Sequence, residues 1–219
     1  AASDVYKRQE IRERAIAILE SGKTDHHDLV RYEYIRRLGY YCTESSEHNA
    51  EYNNFFIKAK YPELIERYNI PLDEYPRRCV NQIEGWAKER DELRKNRRLE
   101  HERSKEYASH IMESIVTGDP YKIGGNVLNA GLIDNLPADA CVEVPCLIDR
   151  MGVNPCHVGR MPVQLAAMNM TNINVHLLTI EAALTKKRER IYQAAMLDPH
   201  TSSELSVDDI VKMLSLIHI

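Results

Sequence analysis

A strand-like segment, residues 118–159, lies between two helical stretches and limits the fold more than any other feature of the chain. Residues 122–128 and 140–148 are rich in apolar and β-branched side chains, which is typical of β-strands. Residues 152–155 contain glycine, asparagine and proline and are predicted to turn the chain. Pro145 has no amide hydrogen, so the second strand is predicted to be an edge strand or to be kinked. A strand-rich middle in an otherwise helical chain predicts an α+β fold that is mainly helical.

On both sides of this segment, apolar residues recur at the spacing that is typical of helices. Residues 10–20 follow that spacing and stop at Ser21-Gly22. Asp28 is predicted to be the N-cap of a helix over residues 29–38, which Gly39 ends. The other predicted helices cover residues 61–71, 73–115 as one long or broken helix, 162–184, 189–196 and 206–213.

Composition excludes several classes of function. The 219 residues carry charges of both signs that sum to −4, which argues against a nucleic-acid or membrane-surface protein. The charged run at residues 84–106 mixes both signs and is predicted to be a solvated helix face. No apolar stretch is long enough for a membrane span. The five cysteines lack CxxC spacing and indicate reduced thiols of a cytoplasmic protein.

The two ends of the chain are predicted to be non-native. The codons CTG TCT CTT ATA CAC ATC encode residues 214–219, and the reverse complement of that DNA encodes residues 4–9. This DNA matches a transposon end used to prepare sequencing libraries. We therefore expect residues 1–9 and 214–219 to be adapter-derived and residues 10–213 to be the biological sequence.

A polar segment, residues 28–52, holds the best candidates for a site. Its aspartate, arginine, glutamates, serines and histidine alternate with aromatic residues, which suits a polyhydroxylated ligand. The neighbouring run Asp25-His26-His27-Asp28 has metal-ligand chemistry, but adjacent histidines on a loop are usually exposed to solvent. Cys42 and His48 could form a nucleophile–base pair, although nothing in the sequence orients them. The sequence contains no glycine-rich phosphate loop.

This polar segment and several later blocks resemble the family-four glycoside hydrolases, and among them the α-galactosidase branch. The resemblance covers residues 23–213. The later blocks are Pro71-Leu-Asp-Glu-Tyr-Pro76, Gly125-Asn126-Val, Gly131-Leu-Ile-Asp-Asn135-Leu-Pro137, Val142-Glu143-Val-Pro145-Cys146, Asn172-Ile-Asn174-Val and Asp198-Pro199-His200-Thr201.

The resemblance implies a two-part enzyme of which this chain is the second part. The first part would be a dinucleotide-binding domain that carries the NAD turn and the cysteine and histidine that hold Mn²⁺. Residues 10–213 would be the C-terminal catalytic and substrate domain, similar to the C-terminal domain of lactate and malate dehydrogenases. NAD and Mn²⁺ would be bound mainly by the missing N-terminal half, and the complete protein would be a homo-oligomer.

The resemblance also implies the chemistry. The sugar is oxidised at C3 with NAD, a protein base removes the C2 proton, and the glycosidic oxygen leaves. Asp28 lies where the base of the aspartate subgroup falls, although it could be only an N-cap, with Tyr32 or Tyr40 as the next candidate base. Arg31, Glu44 and His48 are expected to bind galactose. The alternative is a non-catalytic helical interaction module, in which Asp28, Arg31 and His48 would be buried or scattered.

Overall fold

The computed structural model describes residues 2–96, 98, 104 and 106–216, with side chains from residue 8 onward. In the described residues, helices surround one small sheet. The helices are α1 (Ala2–Glu20), α2 (Leu29–Leu38), α3 (Ser46–Glu51), α4 (Glu63–Arg67), α5 (Glu74–Lys95), α6 (Ala108–Thr117), α7 (Val163–Thr185), α8 (Arg188–Leu197), α9 (Pro199–Glu204) and α10 (Val207–Leu216). The strands are β1 (Tyr121–Leu128), β2 (Cys141–Asp149) and β3 (Gly152–Pro155).

Most predicted helices are confirmed. Gly39 ends α2 in the left-handed region, with φ 83°, and its N–H donates to the carbonyl of Ile35. The predicted helix over residues 73–115 is broken into α5 and α6, and residues 97, 99–103 and 105 of the charged run lie outside the described residues. The short helices α3 and α9 were not predicted.

The adapter origin of residues 1–9 and 214–219 stays a prediction. The backbone of residues 4–9 belongs to α1, and residues 214–216 belong to α10. Residues 217–219 of the predicted adapter-derived segment lie outside the described residues.

The strands form an antiparallel sheet in the order β1-β2-β3, which confirms the α+β class but corrects two details. Residues 152–155 are the third strand, and the turn lies at Arg150 and Met151. Pro145 is in the central strand, not at an edge. Its carbonyl accepts from the N–H of Cys156 at 2.8 Å, just past the end of β3. Pro145 therefore lies where the hydrogen bonds between β2 and β3 end. Its lack of an amide hydrogen costs the sheet little stability.

The chain forms two compact units. The first comprises residues 1–70, 122–147 and 153–219. Its helical core packs α2 against α1 and α3, and α7 packs against α8. The buried members of this core are Leu29, Val30, Tyr34, Ala50, Phe56, Tyr68 and Ile70.

The second unit comprises residues 71–121 and 148–152, and therefore contains α5 and α6. Buried Ser114 on α6 donates from its hydroxyl to the carbonyl of Ile148 at 2.8 Å. Arg150 donates to the carbonyl of Thr117 at 2.8 Å. These bonds join α6 to the turn between β2 and β3. In contrast, α5 has no buried residue along its 22 residues.

Candidate functional site

Asp28 presents its carboxylate at the start of α2. It occupies the N-cap position, with φ −107° and ψ 16°, but its side chain accepts no capping hydrogen bond. Its backbone N–H donates to Nδ1 of His26 at 3.1 Å. Its Oδ1 accepts from Nη1 of Arg31 at 3.0 Å, and 28% of the Asp28 side chain is exposed. The position was predicted correctly, but the predicted capping bond is wrong because the carboxylate turns to Arg31.

Arg31 connects α2 to the loop that precedes α3. Its Nε donates to the carbonyl of Cys42 at 2.9 Å, and its backbone N–H donates to Oγ of Ser46 at 3.2 Å. The guanidinium carbon lies 4.2 Å from the centroid of the Tyr41 ring. Only 17% of the Arg31 side chain is exposed. These contacts hold the guanidinium in one place and thereby fix the carboxylate of Asp28.

Glu44 and His48 form the second half of the cluster. Ser45 is the N-cap of α3 and accepts from the N–H of His48 at 3.1 Å. Oγ of Ser45 also lies 2.9 Å from Nδ1 of His48, and Oε1 of Glu44 lies 3.3 Å from the same nitrogen. The backbone N–H of Ser45 lowers the pKa of Glu44, and His48 and Arg31 add to that effect. Arg31 therefore acts on both carboxylates of the cluster.

Buried Asn49 holds the loop that carries Glu44. Its Nδ2 donates to the carbonyls of Glu44 and Ser45 at 3.0 and 2.8 Å. Its Oδ1 accepts from Sγ of Cys42 at 3.3 Å. The thiol therefore bonds to Asn49, so the candidate Cys42–His48 pair receives no support from the geometry.

Two tyrosines next to Asp28 are held in the protonated form. Burial raises the pKa of Tyr32, and the charge of Asp28 raises it further. Burial likewise raises the pKa of Tyr41. The hydroxyl of Tyr32 lies 3.4 Å from Nε2 of His26. A tyrosine with a raised pKa is a weaker candidate for a base at neutral pH than a carboxylate.

The structure thus places the four predicted site residues on one stretch of the first unit. Sequence reasoning did not assign roles to Tyr41, Ser45 or Asn49. Serine is among the preferred N-cap residues, and this preference could have identified Ser45. The bonds of Asn49 depend on the path of the loop and have no signal of their own in the sequence.

Neither a metal cluster nor a membrane span occurs in the part of the chain that the structure describes. No three His, Cys, Asp or Glu side chains within it are grouped so that they could hold a metal ion. None of its helices combines the length and the apolar character that crossing a membrane requires. The histidines at positions 26 and 27 belong to no such group among the described residues.

Fold and site together define an α+β domain with an ion-paired carboxylate at a helix start and a polar loop beside it. Comparison with known sequences gives the family. Residues 3–201 match the family described as the family 4 glycosyl hydrolase C-terminal domain, so the chain belongs to family 4 of the glycosyl hydrolases.

Two curated relatives carry the name α-galactosidase. The protein from Bacillus subtilis is 60% identical over 211 residues, which cover 96% of this chain and 48% of the relative. The protein from Rhizobium meliloti is 30% identical over 84% of this chain and 39% of the relative. The chain therefore spans about half the length or less of these relatives.

Solved structures share the fold at low sequence identity. The crystal structure of the Bacillus subtilis protein lplD superposes with a TM-score of 0.81 at 20% identity, over 95% of this chain and 49% of that one. A 6-phospho-α-glucosidase from gut microorganisms, solved with NAD and Mn²⁺, has a TM-score of 0.63 at 16% identity, over 85% and 41% of the two chains. At these identities the likeness establishes the fold.

Proposed function

We propose that this chain is the C-terminal part of an α-galactosidase, a cytoplasmic enzyme that cleaves α-galactosides by NAD-assisted oxidation at C3 and deprotonation at C2. The proposed substrate class rests on the 60% identity to the Bacillus subtilis α-galactosidase over 96% of this chain. The cluster of Asp28, Arg31, Glu44 and His48 supports a site for a polyhydroxylated ligand. By this proposal the chain alone is inactive, because it is only part of the enzyme.

In this proposal, NAD and Mn²⁺ are bound mainly by the N-terminal half of the enzyme and not by this chain. The described residues contain no group of three or more His, Cys, Asp or Glu side chains that could hold a metal ion. The residues present therefore do not fit the metal by themselves.

Asp28 is the proposed base that accepts the proton from C2 of the sugar. Its carboxylate is partly exposed, so a ligand can reach it, and Arg31 orients it from 3.0 Å. As the C2–H bond breaks, the proton passes to Asp28 and the electron pair forms the C1–C2 double bond. The glycosidic oxygen leaves from C1 with the electrons of its bond. A base must lie within hydrogen-bond reach of the proton that it removes.

Arg31, Glu44 and His48 are the proposed contacts to the hydroxyl groups of galactose. Arg31 uses Nε and Nη1 within the chain, and its Nη2 has no hydrogen-bond partner among the described residues. The side chains of His48 and Glu44 are 42% and 56% exposed and remain accessible to a ligand. A charged acceptor beside a ring nitrogen can bind two neighbouring hydroxyls.

The arrangement differs from the one that the non-catalytic interaction module predicts. The latter predicts that Asp28, Arg31 and His48 are buried or scattered. Instead, Arg31 pairs with Asp28 and donates to Ser46 of α3, the helix that carries His48, and all three side chains keep some exposure.

A chimera tests the proposed function directly. The matched half of the Bacillus subtilis α-galactosidase is replaced by this chain, and hydrolysis of nitrophenyl α-galactoside, β-galactoside and α-glucoside is compared. We expect α-galactoside cleavage that depends on added NAD and Mn²⁺. A folded chimera that binds NAD but leaves the α-galactoside intact would contradict the proposal, and circular dichroism separates this result from misfolding.

A further inference from the structure

Tyr41 is an exposed aromatic residue beside the ion pair of Asp28 and Arg31. It is 46% exposed. Burial raises the pKa of Tyr41, Arg31 lowers it and Asp28 raises it, so both charged groups lie close to the phenol. No other aromatic ring of the described residues contacts Tyr41, and its hydroxyl makes no hydrogen bond with them. An exposed ring beside a polar cluster is typical of a ligand-binding surface.

One face of the Tyr41 ring is covered and the ring is held in place. The guanidinium carbon of Arg31 lies over that face, 4.2 Å from the ring centroid. Arg31 is itself fixed, because it donates to the carbonyl of Cys42 at 2.9 Å and to Asp28 at 3.0 Å. A ring that is positioned in advance loses little conformational entropy when a ligand binds to it.

The other face of the ring limits what can bind there. Carbon atoms in contact lie about 3.5–4.0 Å apart, so a ligand on this face would lie roughly 8 Å from the guanidinium carbon of Arg31. Hydrogen bonds require a donor–acceptor distance of about 3.2 Å or less. A sugar unit stacked on this face therefore cannot be the unit that Arg31 contacts. It has to be a neighbouring unit of the same glycoside.

We propose that Tyr41 binds the leaving group of the glycoside, with the free face of its ring against the C–H groups of the departing sugar. The face of an aromatic ring carries negative charge and attracts the weakly positive C–H groups of a pyranose. The inference rests on the proposed function, in which Asp28 and Arg31 contact the galactose unit. It adds a substrate preference, namely glycosides whose leaving group is itself a sugar.

The preference has a measurable form. Binding energy from a part of the substrate that does not react can still raise kcat/KM. A galactoside with a sugar as leaving group should therefore gain from Tyr41, whereas a methyl galactoside has no group that reaches the ring. The ratio of the two kcat/KM values isolates this contribution, because an effect on the galactose unit changes both values alike.

The first experiment measures kcat/KM of the chimera for melibiose, whose leaving group is glucose, and for methyl α-galactoside. Tyr41→Ala should lower the ratio of melibiose to methyl galactoside by about tenfold, because the apolar contact is lost. Tyr41→Phe keeps the ring and should keep the parental ratio. Tyr61→Ala is the matched control, since Tyr61 is 44% exposed and Nζ of Lys60 lies over its ring at 5.5 Å.

Two results of this experiment would overturn the inference. If Tyr41 only supports Arg31, Tyr41→Ala lowers both kcat/KM values equally and leaves their ratio unchanged. If the hydroxyl and not the ring makes the contact, Tyr41→Phe lowers the ratio as much as Tyr41→Ala does. Circular dichroism of each variant checks that the fold is retained.

Saturation-transfer NMR of melibiose with the chimera separates this inference from the proposed function, because it does not need turnover. When aromatic protons are irradiated, we expect transfer to the glucose unit in the parent and in Tyr41→Phe, and its loss relative to the galactose unit in Tyr41→Ala. Transfer to the glucose unit without cleavage would support the role of Tyr41 and contradict the glycosidase. A parent that transfers nothing to the glucose unit overturns the role of Tyr41, whether or not the chimera cleaves melibiose.

Discussion

At the scale of single residues, the most informative side chain is Asp28, because the structure separates its two predicted roles. It stands at the N-cap position but bonds to Arg31 and not to a backbone N–H. A substitution that keeps its size but removes its basicity can therefore distinguish catalysis from a structural role.

We predict that Asp28→Asn in the chimera lowers turnover by about 10² to 10⁴, the range typical of losing a general base. Exchange of the C2 hydrogen with deuterated solvent should stop, while affinity for the sugar should change little. Stability should fall by about 1 kcal/mol or less, since the amide oxygen of asparagine can still accept the hydrogen bond from Arg31 and the ion pair that is lost is partly exposed. Parent-like exchange in the variant would assign the base to another residue.

Glu33 governs a second property, the acid stability of α2. Its burial disfavours the charged form, but hydrogen bonds from Arg36 and Arg37 outweigh this effect and lower the pKa of Glu33. Because the folded-state pKa is depressed, the stabilisation is present above the unfolded value of about 4.3. It is lost as the pH falls through the folded-state value.

Glu33→Gln should therefore lower the free energy of unfolding at neutral pH by about 1.5–3 kcal/mol, as expected for hydrogen bonds to charged groups. The variant should also lose less stability than the parent on acidification, as measured by urea unfolding at pH values from neutral to acidic. Glu10→Gln is the control, because the Glu10–Arg14 pair is exposed, with side chains 58% and 77% exposed. An equal response of the two variants would contradict the prediction.

At the scale of elements, strand β1 depends on a close approach to β2. A Cβ atom added to Gly125 would lie 2.7 Å from Sγ of Cys146, which is fully buried. A Cβ atom added to Gly124 would meet Oε1 of Glu143 at 2.9 Å, but that atom ends an exposed, flexible side chain. The two faces of one strand therefore differ in their tolerance of a methyl group.

We predict that Gly125→Ala lowers the free energy of unfolding by about 1–3 kcal/mol through overpacking. Gly124→Ala should be close to neutral, because replacing a strand glycine also reduces the entropy of the unfolded chain. Thermal or urea unfolding of the two variants measures the difference. Equal losses in both would show that the buried face has room to adjust.

The sequence predicted those elements whose signals are local. Gly39 ends α2 as expected, and the spacing of Asp28 and Arg31 by one helical turn brings them together. Helix α9 escaped prediction although Asp198 caps it from before Pro199, because only six residues follow that signal. The prediction that Pro145 lies in an edge strand was wrong because β2 is the central strand. A proline is tolerated there because β3 ends at that point, so its missing N–H leaves no partner unpaired in the sheet.

The predicted site residues lie close together in the structure, and their role in binding and catalysis stays a prediction. Asp28, Arg31, Glu44 and His48 could be named because their chemistry is visible in the sequence. Asn49 fixes the loop through contacts with backbone carbonyls, which become its neighbours only after folding. Tyr41 likewise meets Arg31 only because the Cys42 carbonyl draws the guanidinium toward the loop.

At the scale of the whole molecule, the chain is expected to act only together with further protein. It spans 48% of the length of the Bacillus subtilis α-galactosidase. We predict that the 219-residue chain alone neither binds NAD nor hydrolyses α-galactosides. Isothermal titration with NAD and an α-galactoside assay measure both, with the chimera as the positive control. Micromolar NAD affinity of the isolated chain would show that it carries a nucleotide site of its own.

The candidate site is formed by one contiguous stretch of sequence, and this affects how recombination between related genes would act on it. Residues 28–48 supply Asp28, Arg31, Glu44 and His48, and their mutual hydrogen bonds run within that stretch. Recombination outside residues 28–49, which also include the Asn49 that holds the loop, would pass the arrangement on intact. Recombination within it would separate the carboxylate from the loop that anchors its arginine. We therefore expect shuffled libraries of related genes to keep this cluster intact when their crossovers avoid this stretch.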